Sequence, residues 1–252
     1  MTAFPHEADG LYAQPDVAAL RADLALTLRA AAHHGLAEGV CNHFSVALPG
    51  RDDLFLLNPR GLLWAEVQAD DIVLVDTAGQ ALAGRHPVEP TAMFIHAAVH
   101  RVAGLACVLH THMPHATALT LTRDRALDTT LSQNAMRFHG RVAVDAHYNG
   151  LALDSAEGER IARGLLRGAG QAPAEVLFLA NHGVIVGGPT LAWAYDDLYY
   201  LERACQAQWL AQASGRPLAP VPAALAAHVA QQVQQERTQS DLFFAALRRT
   251  LG

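Results

Sequence analysis

The apolar run Leu105-Ala106-Cys107-Val108-Leu109 closes on His110-Thr111-His112. Such a run reads as a buried strand, and because alternate residues of a strand point the same way, both imidazoles leave it on one face. Two neutral imidazoles at the C-terminal end of a buried strand make poor core filler. They suit a transition-metal ion that takes nitrogen ligands.

The rest of the chain supplies the elements to bury that strand. Residues 16–34 carry Leu20, Leu24, Leu26 and Leu28 at helical spacing and stop at Gly35, which predicts a helix. Short β-type runs over 42–48, 54–58 and 72–76, separated by turn-forming segments at 49–53 and 78–80, predict an antiparallel meander. Pro90 opens a helix that runs to residue 102, Gly104 breaks it, and Pro114 opens another. Residues 127–149 are mixed, with a strand-like Val142-Ala143-Val144, and Asp154 caps a helix reaching Leu166. Two further strands, 176–180 and 184–187, are joined by Asn181-His182-Gly183, which places a third histidine in a tight turn. A long helix covers 191–214, and a proline-rich linker at 215–222 leads into helices rich in Gln and Ala. The expected division is a tail over 1–15, one domain over 16–215, and a helical extension over 216–252 packed on the same domain.

Composition narrows the function classes. With 252 residues, 51% hydrophobic and 17% charged, the chain has length enough for one large α/β core. A formal net charge of -6 argues against a general nucleic-acid surface and for small or neutral ligands. Cys41, Cys107 and Cys205 are widely spaced in apolar surroundings, make no disulfide framework and point to a reducing, cytoplasmic setting. Residues 1–14 include Glu7 and Asp9 and lack the basic and apolar regions of a signal peptide, and no run approaches the roughly 18 apolar residues of a membrane span.

His110, His112 and His182 each stand where a short apolar strand meets a loop, the usual building place of sites in α/β sheets. Three nitrogen ligands leave coordination positions open, and an open divalent site can polarise a carbonyl or carboxylate oxygen. The alternative is a hydrogen-bonded core pair with His182 as a turn residue.

Six segments resemble, in order along the chain, the class II aldolase/adducin family: Asn42-His43-Phe44-Ser45-Val46, Leu57-Asn58-Pro59-Arg60-Gly61-Leu62, Phe94-Ile95-His96-Ala97-Ala98-Val99-His100, Val108-Leu109-His110-Thr111-His112, Tyr148-Asn149-Gly150-Leu151-Ala152-Leu153 and Leu179-Ala180-Asn181-His182-Gly183-Val184. The resemblance covers residues 16–215. It implies a three-layer α/β/α fold around a mixed, largely antiparallel central sheet, assembled as a tetramer with sites near subunit interfaces. It assigns His110, His112 and His182 as ligands of one divalent ion, zinc first, with manganese, iron or cobalt as alternatives. It also implies a substrate pocket that includes Asn42, Arg60 and Gly61. Where the sugar-phosphate aldolases carry an acid/base glutamate four residues before the histidine matching His96, this chain has Ala92; Glu89 is the nearest carboxylate, a spacing that looks like the adducin-like branch. Glu89 is therefore either the proton carrier or a helix cap. Tyr148, in the region of a family proton donor, is either that or an interface aromatic, and Arg60 is either an anion clamp or a solvated loop residue. His96 and His100 share a helix face, first as packing residues and second as supports for metal histidines, while His139 and His147 flank the Tyr148 segment.

The resulting expectation is a divalent-metal-dependent lyase that cleaves a carbon–carbon bond next to a carbonyl or carboxylate through a metal-stabilised enolate, by aldol cleavage or decarboxylation. Ala92 tilts the choice toward decarboxylation, which needs no base to deprotonate a hydroxyl. The substrate is a small molecule bearing a carboxylate or hydroxyl. Two alternatives stand beside it: an Fe(II)-dependent oxygenase of a hydroxy-acid, and a non-catalytic adducin-like assembly module.

Overall fold

The computed structural model of the chain describes residues 5–252. In chain order the elements are α1 (Pro5–Tyr12), α2 (Pro15–His33), β1 (His43–Ala47), β2 (Leu54–Leu57), β3 (Val73–Asp76), β4 (Ala81–Ala83) and α3 (Pro90–Ala98). After α3 the helix widens into one π-type turn over Val99–Ala103. There follow β5 (Cys107–Thr111), α4 (Pro114–Thr120), α5 (Gln133–Met136), β6 (Val142–Asp145), α6 (Ser155–Arg163), β7 (Val176–Leu179), β8 (Gly183–Gly188), α7 (Leu191–Ala213), α8 (Ala223–Gln235) and α9 (Thr238–Leu251).

The strands form one eight-stranded sheet in the order β4-β3-β2-β1-β5-β8-β7-β6, antiparallel at every pairing except β6 with β7. The meander expected from residues 42–76 is present, extended by β4. Strand β5 lies between β1 and β8, and all five of its residues are buried, the polar His110 and Thr111 along with the apolar Cys107-Val108-Leu109.

Side-chain alternation along the strands separates two helical layers. Phe44, Val46, Leu56, Leu109, Phe178 and Val186 share one core with Leu24 and Leu28 of α2 and with Leu198 and Leu201 of α7. On the other face Val108, Leu177 and Ile185 pack against Ile95 and Ala98 of α3 and Ile161 of α6, while Phe55, Leu57 and Val75 meet Ala92 and Ala97. The result is the three-layer α/β/α arrangement with a mixed, largely antiparallel sheet. Two of its helix starts match the expected signals: Glu89 caps α3 ahead of Pro90, and the Asp154 carboxylate accepts from Glu157 N at the start of α6.

Three local expectations change. Within the segment read as a tail, residues 5–12 form α1, tied down by the Tyr12 hydroxyl donating to Ile72 O at 2.6 Å. The mixed stretch before β6 contains the single turn α5, capped by Ser132. Cys41 is exposed, unlike the buried Cys107 and Cys205, because it precedes β1 in a loop rather than facing a core. The extension beyond residue 215 contributes Phe244 and Leu247 to the larger core. No helix among the described residues is long and apolar enough to cross a membrane.

Candidate metal centre

His110 lies on β5, His112 one residue past its end, and His182 in the turn between β7 and β8. That turn is shaped by Asn181 at φ 56° and by Gly183, where a Cβ would meet Thr111 O at 2.7 Å and His112 Cδ2 at 2.8 Å. Only glycine lets the hairpin close so tightly on the end of β5. The three rings form a near-equilateral triangle, with centroids 5.1 Å apart for His110 and His112 and 4.8 Å for each of the other pairs. One candidate ligand nitrogen from each lies within 4.8 Å of the others.

Their outer contacts orient them for a cation. His110 Nδ1 donates to Val184 O at 3.0 Å, and His112 Nδ1 bonds Glu38 Oε2 at 2.5 Å, so Nε2 is the free nitrogen of both rings. His112 Nε2 is buried with no hydrogen-bond partner, an orphan that a metal ion at the centre of the triangle would satisfy. Burial, reinforced by neighbouring imidazoles, holds the pKa of His110 well below its ordinary 6.5 and that of His182 at about 4. Both are therefore neutral near pH 7, the state that coordinates. The donor set fits a divalent transition metal.

A cavity of about 570 Å³ opens on the triad and brings together the other residues singled out from the sequence. Asn42, at φ 63° and 4% exposed, accepts from His112 N through Oδ1 at 3.3 Å, while its Nδ2 is buried and unpaired. Arg60 and Gly61 form a wall, with Arg60 N anchored on Pro87 O at 2.9 Å and Gly61 at φ 85°. Glu89 lines the cavity and caps α3 as well: its Oε2 accepts from Ala92 N at 2.9 Å and from the Thr91 hydroxyl. Tyr148 is 53% exposed, its ring 6.2 Å from that of His182. His139 is turned to Thr129, and neither it nor His147 lines this cavity.

His96 and His100 are more than helix-face packing. His43, opposite His110 in the β1–β5 register, bonds His96 Nε2 through Nδ1 at 2.7 Å, and the two rings of His43 and His110 lie 4.7 Å apart. Ser45 Oγ bonds both His96 Nδ1 and, at 2.7 Å, His100 Nε2, and His100 Nδ1 donates to Leu105 O at 2.7 Å. Burial pushes the pKa of His100 down to about 4 and holds those of His43 and His96 well below the ordinary value. His43 and Ser45 stand in the motif Asn42-His43-Phe44-Ser45-Val46, which by itself gives neither a role. The signal was available: they alternate on one strand face, and His96 and His100 are one helical turn apart. Glu38, which orients His112, carried no such signal.

Comparison with known proteins follows the same lines. Residues 22–209 match the model of the class II aldolase and adducin N-terminal domain. The chain belongs to this family. A Pseudomonas aeruginosa relative named for class 2 aldolases is 35% identical over 204 residues, covering 80% of this chain and 75% of its own. The crystal structure of an aldolase II superfamily protein from Pseudomonas syringae superposes with a TM-score of 0.85 at 32% identity, covering 96% of each chain. Decarboxylase NovR of Streptomyces niveus is 29% identical over 182 residues, 71% of this chain and 64% of that protein. Within the class II aldolase and adducin family, the three-histidine cluster of this chain is consistent with a divalent metal site.

Proposed function

We propose that the protein is a divalent-metal-dependent carbon–carbon lyase, acting next to a carbonyl or carboxylate, with decarboxylation favoured over aldol cleavage. The observation that carries this reading is the buried, unpartnered Nε2 of His112, facing His110 and His182 at the mouth of a cavity with its own unpaired donor, Asn42 Nδ2. His110, His112 and His182 would hold the ion, with zinc the first choice. A divalent ion there supplies electrostatic stabilisation for negative charge developing on a substrate oxygen.

The protein's own groups do the rest. Asn42 Nδ2 donates to a substrate oxygen, and Arg60 at the wall orients a carboxylate. When the bond to the departing carboxyl group breaks, its electron pair stays on carbon and spreads onto the adjacent oxygen. The Tyr148 phenol then delivers a proton to that carbon. Glu89 caps α3 through Oε2 alone, so Oε1 can take or return a proton in an aldol cleavage. Support for decarboxylation comes from Ala92, which puts no carboxylate at the position of the aldolase base, and from the similarity to a decarboxylase. The exposed side chains of Tyr148 and Leu151 on the cavity wall favour assembly as a homo-oligomer, for which the family resemblance implies a tetramer, and the three free cysteines favour a cytoplasmic setting.

The test is metal analysis joined to product detection. Purified wild-type protein is expected to bind one divalent ion per chain and to release carbon dioxide from a 3-keto or hydroxy-aryl acid. His110→Ala is expected to lose the ion and at least a hundredfold in rate, on the order of the cost of removing one electrostatic stabiliser. Oxygen uptake matching product would replace the lyase with an oxygenase, and absence of tight metal binding would leave an assembly module.

A further inference from the structure

A chain of hydrogen bonds runs from the backbone into the cavity, and its polarity is forced at the buried end. Leu105 O can only accept, so His100 Nδ1 carries the proton and His100 Nε2 is a lone pair. Ser45 must then donate its hydroxyl hydrogen to His100 Nε2, which leaves Ser45 Oγ to accept from His96 Nδ1. His96, with its proton on Nδ1, accepts through Nε2 from His43 Nδ1. His43 is left with its proton on Nδ1 and a lone pair on Nε2.

We propose that His43 is a substrate-binding residue whose Nε2 accepts a hydrogen bond from a hydroxyl of the substrate, and that His96, Ser45 and His100 are positioning residues that fix its tautomer. The assignment rests on the reading of this cavity as the substrate site of a metal-dependent lyase. It names the substrate class more closely, as a hydroxy-acid or hydroxy-carbonyl compound.

Three features separate this from an ordinary satisfied core network. Its members are sealed, with Ser45 and His96 at 0%, His43 at 6% and His100 at 9% exposure, and Phe55 packs 5.0 Å from the His100 ring, so water cannot reverse the polarity. At the far end of the chain, burial pushes the His100 pKa down to about 4, so this ring offers one donor and one acceptor near pH 7. The network also ends at a wall of the cavity, opposite His110, rather than on a protein partner. The preceding residue, Asn42, brings a buried and unpaired Nδ2 donor to the same cavity. A donor and an acceptor on adjacent residues match a hydroxyl group, which both accepts and donates. The π-type turn after α3 carries His100, and such turns recur at functional sites.

The zinc-loaded protein is titrated with mandelate and with phenylacetate, which differ by one hydroxyl, by calorimetry and by nitrogen-15 spectra of the histidine rings. In the wild type, His43 is expected to show a protonated Nδ1 and a bare Nε2, with the Nε2 resonance moving on mandelate but not on phenylacetate. The preference for mandelate should shrink roughly three- to tenfold in His43→Leu, the size of one hydrogen bond, at unchanged zinc content. Ser45→Ala leaves His43 in place. Without Oγ the favoured arrangement reverses, His96 Nε2 donating to His43 Nδ1, so the His43 proton is expected on Nε2 in the nitrogen-15 spectrum and the preference for mandelate changes from its wild-type value. A protonated Nε2 in the wild type, or the same mandelate preference in wild type and both variants, overturns the proposal while leaving metal-dependent lyase activity standing. Failure to bind zinc at all would instead sink the lyase reading beneath it.

Discussion

His96 and His100 show how single residues here trade stability against pH. Both are buried and neutral; desolvation is the main cause, with the His100 and His110 imidazoles adding to it at His96, and a pKa of about 4 at His100 compares with an ordinary 6.5. In the unfolded chain each takes up a proton as pH falls through 6.5, while the folded protein refuses it down to about pH 4 for His100. The stability contribution is thus complete above 6.5 and is lost on acidification. For the metal-free protein, stability measured by urea unfolding is expected to fall below pH 6.5 by about 1.4 kcal/mol per pH unit for each such histidine. A profile that stays flat from pH 7.5 to 5 would show that the folded rings take up protons as readily as the unfolded chain does. His110, His112 and His182 announced themselves because imidazoles at strand ends are rare and chemically pointed. Glu38, 74 positions from His112, and Ser45, whose partners are His96 and His100, become functional candidates only by proximity.

At the scale of elements, the decisive piece is the β7–β8 hairpin, since it alone carries His182 to the other two histidines. Gly183 is the contact point: any Cβ would press on Thr111 O and His112 Cδ2. Gly183→Ala is expected to push β8 off the end of β5, costing about 1–3 kcal/mol as an overpacking change and weakening metal affinity along with thermal stability. Equal metal affinity in variant and wild type would show that the hairpin is not what sets the triad. Most elements were legible because their signals are local: Pro90 and Pro114 at helix starts, Asp154 as a cap, Gly35 and Gly104 as stops. The short α5 and α1 were not. A helix of 4 or 8 residues has too few turns to impose a period, and α1 is held by a distant contact, Tyr12 with Ile72 O.

Over the whole molecule, a buried ionic knot joins segments far apart in sequence. Asp197 on α7 accepts from Arg141 Nη2 at 2.5 Å, just before β6, and from Arg237 at 2.7 and 3.0 Å, just before α9. Burial alone would raise the Asp197 pKa, but the two guanidinium groups outweigh it and hold the carboxyl below its ordinary range. Asp197→Ala would leave Arg141 with Glu175 alone and Arg237 with Asp196 at 3.6 Å, and a loss of about 2–3 kcal/mol is expected in urea or thermal unfolding; a loss below 1 kcal/mol would mean that the knot contributes little. By itself the sequence determined the strands and helices with strong periodicity or caps, the α/β class and the three histidines suited to a metal, since those depend on near neighbours along the chain. Only the tertiary structure decided that β5 sits between β1 and β8, that His43 faces His110, and that Leu105 O sets the polarity of four side chains. Strand order and buried hydrogen-bond direction are fixed by contacts between distant segments, which no local pattern encodes.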